Sequence, residues 1–379
     1  MRLTIENFKK NTTDTTNYLT HIFHAYPAKF IPQIPKLFIE KYTKPGDTVY
    51  DPFVGSGTTL VECKLLNRNG IGIDSNPIAT LISICKTTKL SSDEIIIANN
   101  FLLDIEAILA LRPSNFHLQY DYLNTIDFQN KEHWFQNNVQ IELSFLIKKI
   151  REIKNEKIVR FFEVCLSSII VDVSNQESNT RYAYKEKSIQ NFKTLNQFVK
   201  RGKMMIERIS DFSNICSDSK IEIYTQSSED VSFIPNESVA LVITSPPYAN
   251  TYDYYLYHKS RMNWLGYDVR KTQETEIGSR DKHSSKKLEI NHFLKGLEKC
   301  FKECERALIS GGYAVIIIGD SVIRGELFDA KLFTKDLFAK FGMDLIEFSS
   351  QNLKETTRMF NPKFTNELKL EHILVFKKN

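Results

Sequence analysis

Residues 48–59 read Thr48-Val49-Tyr50-Asp51-Pro52-Phe53-Val54-Gly55-Ser56-Gly57-Thr58-Thr59, and residues 69–77 read Asn69-Gly70-Ile71-Gly72-Ile73-Asp74-Ser75-Asn76-Pro77. Thr48 to Asp51 is a short strand behind the turn Lys44-Pro45-Gly46-Asp47. The glycine bend then opens a helical pattern of Leu60, Val61, Cys63, Leu65 and Leu66 that stops at Asn69-Gly70. A second strand, Ile71 to Asp74, leads through Ser75-Asn76-Pro77 into a helix from Ile78 to about Lys89. Strand, glycine bend, helix, strand and acidic residue make one half of a doubly wound, Rossmann-like α/β sheet.

Working outward, the alternation stops between about Leu90 and Lys220. Helical spacings replace it: Ile141, Leu143, Phe145, Leu146, Ile147 and Ile150, then Phe161, Phe162, Val164, Leu166, Ile169 and Ile170. The α/β pattern resumes with a strand from Ile221 to Tyr224 and another from Val239 to Ile243 that ends at Thr244-Ser245-Pro246-Pro247-Tyr248. A helix from about Thr251 to Leu265, a polar loop from Asp268 to Lys287, a helix from Asn291 to Leu308 and a strand from Tyr313 to Ile318 follow. A helix near Lys331 to Phe341 precedes two strands, near Asp344 to Phe348 and Glu371 to Phe376. With no helix between them, these read as an antiparallel hairpin at the sheet edge. The expected organisation is a catalytic domain in two parts, residues 1–89 and 220–379, split by a mostly helical insertion at 90–219.

Composition sets the class. The chain has 379 residues, 42% hydrophobic and 25% charged, which disfavours disordered and fibrous classes and suits a soluble globular protein. No apolar run approaches the roughly 18 residues of a membrane span, and no secretory signal is read at the N-terminus. Six scattered cysteines, with no Cys-x-x-Cys pair or His partner at metal spacing, predict a reducing cytoplasmic compartment and no metal site. Cys300 and Cys304, four apart on a helix, read as packing. The net charge of +4 identifies no partner, but its distribution is uneven. Arg181, Lys185, Lys187, Lys193, Lys200, Arg201, Lys203 and Arg208 face only Glu186 and Glu207 in their stretch. A second cluster holds Arg270, Lys271, Arg280, Lys282, Lys286 and Lys287. Such stretches suit a polyanion or a solvated helix face.

At the glycine bend, Gly55 and Gly57 let the backbone approach a ligand and its amides face a polar group. Asp74, 19 residues after Gly55, stands about where a carboxylate meets ribose hydroxyls in the dinucleotide fingerprint. Leu60 occupies the fingerprint's third glycine position, and no Gly-Lys-Ser/Thr closes a phosphate loop. The two prolines after the strand at 239–243 cannot continue a sheet, but they fix φ and aim carbonyls rigidly outward. In a doubly wound sheet the switch point lies between the first and fourth strands, so both turns flank one crevice.

Asp-Pro-Phe-Val-Gly-Ser-Gly-Thr-Thr at 51–59, Gly-Ile-Asp74-Ser-Asn-Pro, and Thr-Ser-Pro-Pro-Tyr at 244–248 together resemble the S-adenosylmethionine-dependent DNA amino-methyltransferases of the N4-cytosine and N6-adenine type. His24-Ala-Tyr26-Pro-Ala-Lys29-Phe30 is similar to that family's cofactor-side N-terminal helix. The insertion carries no such likeness. The resemblance implies a cofactor site of Tyr26, Lys29, Asp51, Pro52, Phe53, Gly55, Ser56, Gly57, Thr58, Thr59, Asp74, Ser75 and Asn76. Asp51, Phe53 and the glycines would hold the methionine end of S-adenosylmethionine and Asp74 its ribose. Ser245, Pro246, Pro247 and Tyr248 would receive the target base. The family's adenine-binding Asp has no counterpart in place; Ser228 stands there, with Glu229 and Asp230 beside it.

The implied activity is site-specific methylation of double-stranded DNA in a restriction-modification system, with a cognate endonuclease as an expected partner. Ser before Pro-Pro-Tyr goes mostly with the N4 of cytosine and Asp or Asn with the N6 of adenine, so cytosine leads and adenine is the alternative. An RNA amino-methyltransferase and an inactive DNA-recognition subunit stand behind these. Ring-carbon methylation is excluded, because none of the six cysteines follows a proline. The basic stretch from Tyr182 to Arg208 is the expected phosphate-tracking surface. Tyr252, Tyr254, Tyr255 and Tyr257 are candidates to line the base pocket or to pack a helix.

Overall fold

The structure is a computed structural model that describes residues 16–27, 29–248, 253–278, 290–323, 326–352 and 369–379. The chain enters through a short 3-10 turn, Leu19–Ile22, and helix α1 (Gln33–Tyr42). The segment from His24 to Phe30, expected to be helical, forms no helix among its described residues. Pro27 interrupts it, and Tyr26 and Lys29 reach a cavity at the strand ends.

Strands β1 (Thr48–Asp51), β2 (Asn69–Asp74), β3 (Ile221–Thr225), β4 (Val239–Thr244), β5 (Leu308–Gly319), β6 (Met343–Asn352) and β7 (Leu370–Lys378) form one sheet. Its order is β6-β7-β5-β4-β1-β2-β3. β1 pairs in parallel with both β2 and β4, which is the switch point expected from the sequence. Only β7 runs against its neighbours, wedged between β5 and β6, so the terminal hairpin forms the sheet edge. β5 begins five residues before the expected Tyr313, because Gly311, at φ +74°, absorbs a bulge between the pairs Val239/Leu308 and Leu241/Tyr313.

Alternation along the strands loads both faces. Tyr50, Val242, Ala314, Ile316 and Phe376 pack against Phe293, Leu297 and Phe301 of α10 (Ile290–Ala307) and Phe338 of α11 (Ala330–Lys340). Cys300 and Cys304 are buried there too, as packing residues. On the other face Val49, Leu241, Ile243, Val315 and Val375 meet α1 and Leu60 and Cys63 of α2 (Thr58–Leu65). Helix α3 (Pro77–Thr87) starts at Asn76, whose side chain accepts from the Ile78 amide, with Pro77 in the first turn.

The insertion builds α4 (Ser92–Leu111), α5 (Asn137–Arg151), α6 (Glu156–Ile169) and α7 (Lys193–Ile215), with one small hairpin, Gln176–Ser178 and Arg181–Tyr184. Its core is continuous with Ile78, Leu81 and Ile82 of α3 and with Met262 and Trp264 of α8 (Tyr254–Leu265). The expected loop after Asp268 contains a helix, α9 (Val269–Thr275). Asp268 accepts from the Arg270 and Lys271 amides, a capping signal that the polar composition conceals.

Candidate active site

Asp51 ends β1 and is 1% exposed. Its Oδ1 accepts from the Phe53 amide at 3.2 Å and the Thr244 hydroxyl at 2.7 Å, and its Oδ2 from the Thr59 hydroxyl at 2.6 Å. This carboxylate therefore clasps the glycine bend to the last residue of β4 rather than facing a ligand. Burial pushes it up to about 6, against the pull of its three donors.

The bend is shaped by φ +49° at Gly55 and φ +78° at Gly57, where α2 begins. A Cβ on Gly57 would come 2.9 Å from the Ser83 Cα, so only glycine fits. Helix α3 grips the bend from behind: Ser83 donates to the Gly55 carbonyl at 2.8 Å and Lys86 to the Ser56 carbonyl at 2.7 Å. Lys86 is 1% exposed, and burial drives its amine well below the usual lysine range. Nothing in the motif spacing points to Ser83 or Lys86, since both fall within an ordinary helical pattern.

Asp74 ends β2. Its Oδ2 accepts from the Gly55 amide at 3.0 Å and its Oδ1 from the Asn76 amide at 2.9 Å, and burial pushes it up to about 6. Together these elements border an open cavity outside the carboxyl ends of β1, β2 and β4. Of the residues expected at the cofactor, Tyr26, Lys29, Phe53, Gly55, Ser56, Thr58, Asp74, Ser75, Asn76 and Ser228 line it. Ser245 and Pro247 line it as well, so both turns meet one space.

The remaining expected residues lie elsewhere. Asp51, Gly57 and Thr59 stand behind the wall as its framework, and Pro52 presents its carbonyl to the Ser228 hydroxyl. Asp230 is exposed and accepts from the Ser232 amide, so its carboxylate serves a turn. Pro246 is buried, and the Tyr248 hydroxyl donates to Glu371 at 2.8 Å. Tyr254 lines the cavity, Tyr255 is buried, and Tyr252 lies outside the described residues. Of the second cationic cluster, Arg280, Lys282, Lys286 and Lys287 also lie outside them.

The far wall joins the expected Tyr26, Lys29 and Tyr254 to two residues that sequence reasoning missed, His258 and Glu276. Tyr26 stacks on His258 at 4.9 Å and lies parallel to Tyr254 at 6.4 Å. Glu276, 6% exposed, accepts from the Tyr254 and Tyr255 amides at 2.8 and 2.9 Å, capping α8 from outside the helix. Burial first, with help from Asp253 and Asp74, pushes it up to about 8. Lys29 donates to the His21 carbonyl, and burial lowers its amine.

A glycine bend and an acidic strand end facing a proline turn across the switch point define an α/β transferase with a nucleotide-type cofactor cavity. The chain belongs to the N6/N4 DNA methylase family, whose model matches residues 4–83 and 239–379, which hold every strand of the sheet but β3. It is accordingly a methyltransferase, and S-adenosylmethionine is its methyl donor. Type II methyltransferase M.MvaI of Kocuria varians is 26% identical over 86% of this chain and 83% of its own. Type II methyltransferase M.MjaII of Methanocaldococcus jannaschii is 25% identical over 93% and 80%. Among solved structures, a SAM-dependent methyltransferase from Methanosarcina mazei superposes with a TM-score of 0.36 at 10% identity, over 94% of this chain and 98% of its own.

Proposed function

We propose that this methylase acts on double-stranded DNA as the modification arm of a restriction system, placing a methyl group on the exocyclic N4 of a cytosine swung out of the helix. The observation that carries the reading is the shared cavity: Ser245 and Pro247 stand on one side, and Gly55, Ser56 and Asp74 on the other. Its mixed lining of carboxylate, backbone amides, Phe53 and Phe30 fits a nucleoside that carries both charged and apolar parts. The two relatives named above, both type II methyltransferases, support the restriction-modification setting.

S-adenosylmethionine supplies an electrophilic methyl on a sulfonium. The protein supplies position and polarity. Asp74, oriented by the Gly55 and Asn76 amides, is the acceptor for ribose hydroxyls. An exocyclic amino group is a poor nucleophile because its lone pair is delocalised into the ring. The Ser245 hydroxyl and the Pro246 carbonyl accept hydrogen bonds from its two N–H groups, which favours a tetrahedral nitrogen with its lone pair directed at the methyl. As the N–CH3 bond forms, the S–CH3 bond breaks with its electron pair left on sulfur, and the nitrogen releases one proton to solvent. In-line positioning, with no covalent enzyme intermediate, then provides most of the acceleration. Tyr248 packs on the extruded base, which must leave the stack to be reached. Insertion residues 90–219 track the duplex.

Purified protein incubated with duplex DNA and labelled cofactor is expected to yield N4-methylcytosine on digestion to nucleosides. N6-methyladenine would overturn the base assignment alone. Transfer to structured RNA in preference to duplex DNA would overturn the polymer.

A further inference from the structure

Tyr248 closes the Ser-Pro-Pro-Tyr turn without lining the cavity. Its ring lies against Gly319, the last residue of β5, and its hydroxyl donates to Glu371 Oε1 at 2.8 Å. Gly319 and Glu371 are directly opposite in the β5–β7 ladder, and Glu371 is opposite Gln351 in the β7–β6 ladder. Gln351 Nε2 donates to the second Glu371 oxygen at 2.9 Å. A single cross-strand row over three strands thus meets the tyrosine at two places. Space at the first is tight: a Cβ on Gly319 would approach Tyr248 Cε2 to 2.7 Å and Cδ2 to 3.0 Å, so a side chain there would displace the ring. The second is a phenol-to-carboxylate bond, stronger than a bond between neutral partners. Burial and the neighbouring carboxylate hold the phenol well above its ordinary pKa, so it stays a donor.

We infer that Gly319, Glu371 and Gln351 form a cradle that sets the orientation of the Tyr248 ring, with Glu371 a positioning residue for the incoming base. The inference rests on the reading of Tyr248 as the residue that packs on that base. A ring held along one side and at its tip has already lost the rotational freedom that base stacking would otherwise have to remove. None of the three cradle residues belongs to the glycine bend or the proline turn.

Full-length Glu371→Ala, Glu371→Gln, Tyr248→Phe and the Glu371→Ala/Tyr248→Phe double variant test it by steady-state kinetics on duplex DNA. Glu371→Ala is expected to lower kcat about tenfold while leaving KM for S-adenosylmethionine unchanged. Glu371→Gln, which keeps a carbonyl acceptor for the phenol, restores most of the rate. Tyr248→Phe loses at least as much as Glu371→Ala, since it also removes the phenol's bond with Ser245, and the double variant loses no more than Tyr248→Phe alone, where the Glu371 bond is already gone. Wild-type kcat in Glu371→Ala, or additive losses in the double variant, overturns the cradle. Should Glu371→Ala fail to fold, the volume-conserving pair Glu371→Gln and Tyr248→Phe decides: full rate in Tyr248→Phe overturns it. Tyr248→Ala tests the underlying reading separately. Undiminished turnover there removes Tyr248 from the reaction, whereas a crippled Tyr248→Ala beside an unimpaired Glu371→Ala removes the cradle alone.

Discussion

Thr244 contributes one hydroxyl on which the spacing of the two turns depends, because it is the only bond from β4 to the clasp formed by Asp51 among the described residues. Replacing it by Val keeps the volume and removes the donor, leaving a buried carboxylate one partner short. The expected loss is about 1–3 kcal/mol of stability in urea unfolding, with kcat/KM down roughly tenfold as the proline turn shifts against the glycine bend. Wild-type kinetics in Thr244→Val would remove Asp51 from any role in setting that spacing. Asp51 itself gives a pH signature. Its folded-state value of about 6 lies above the ordinary 3.8, so the folded protein holds this proton more tightly than the unfolded chain does. Its contribution is therefore greatest below pH 4, declines as the pH rises to about 6, and is level beyond. Asp51→Asn abolishes that decline, so its deficit relative to wild type should shrink by about 1 kcal/mol between pH 5 and pH 7. Urea titrations of both proteins at the two pH values measure it, and a constant deficit would show that Asp51 is already ionised at pH 5.

Elements show where sequence reading succeeds and where it stops. β1, the glycine bend, β2 and β4 were legible because local rules coincide there: short apolar strands, Gly55 and Gly57 at left-handed positions, Pro246 and Pro247 where a strand must end. The wedging of β7 between β5 and β6 was not, since two strands in succession specify a hairpin without saying which partner lies inside. Helix α9 and Glu276 were also missed. The cap on α8 comes from a residue 22 positions beyond Tyr254, and no periodicity records so long a reach. That cap carries the next prediction. With its folded value raised to about 8, Glu276 gains its negative charge as the pH rises through that point. S-adenosylmethionine is cationic and its cavity includes Glu276, so affinity should tighten roughly fivefold between pH 7 and pH 9 beyond the change seen in Glu276→Gln. Parallel pH dependences in the two proteins, followed by equilibrium binding titration, would place the carboxylate outside the reach of the cofactor's charge.

At the scale of the molecule, the insertion shares one hydrophobic core with α3 and α8, the helices that grip the glycine bend and carry Tyr254. Whatever the insertion binds is thereby held in fixed register with the cavity. Its basic stretch divides into engaged and available cations. Arg181 pairs with Glu177, Lys203 with Glu106, and Lys187 donates to the Val171 carbonyl, whereas Lys185, Lys193 and Lys200 are exposed. A cation set against a phosphate gains its free energy largely from released counterions, so removing it shows in the salt dependence as well as in the affinity. The triple variant Lys185→Gln, Lys193→Gln, Lys200→Gln should bind duplex DNA more weakly at all sequences. Its slope of log affinity against log salt should be shallower by about 0.9 for each phosphate no longer neutralised, up to roughly 3 in all. Cofactor affinity should be unchanged, since none of the three borders the cavity. An unaltered slope would relieve this face of the phosphate-tracking role and move the duplex to another side of the insertion.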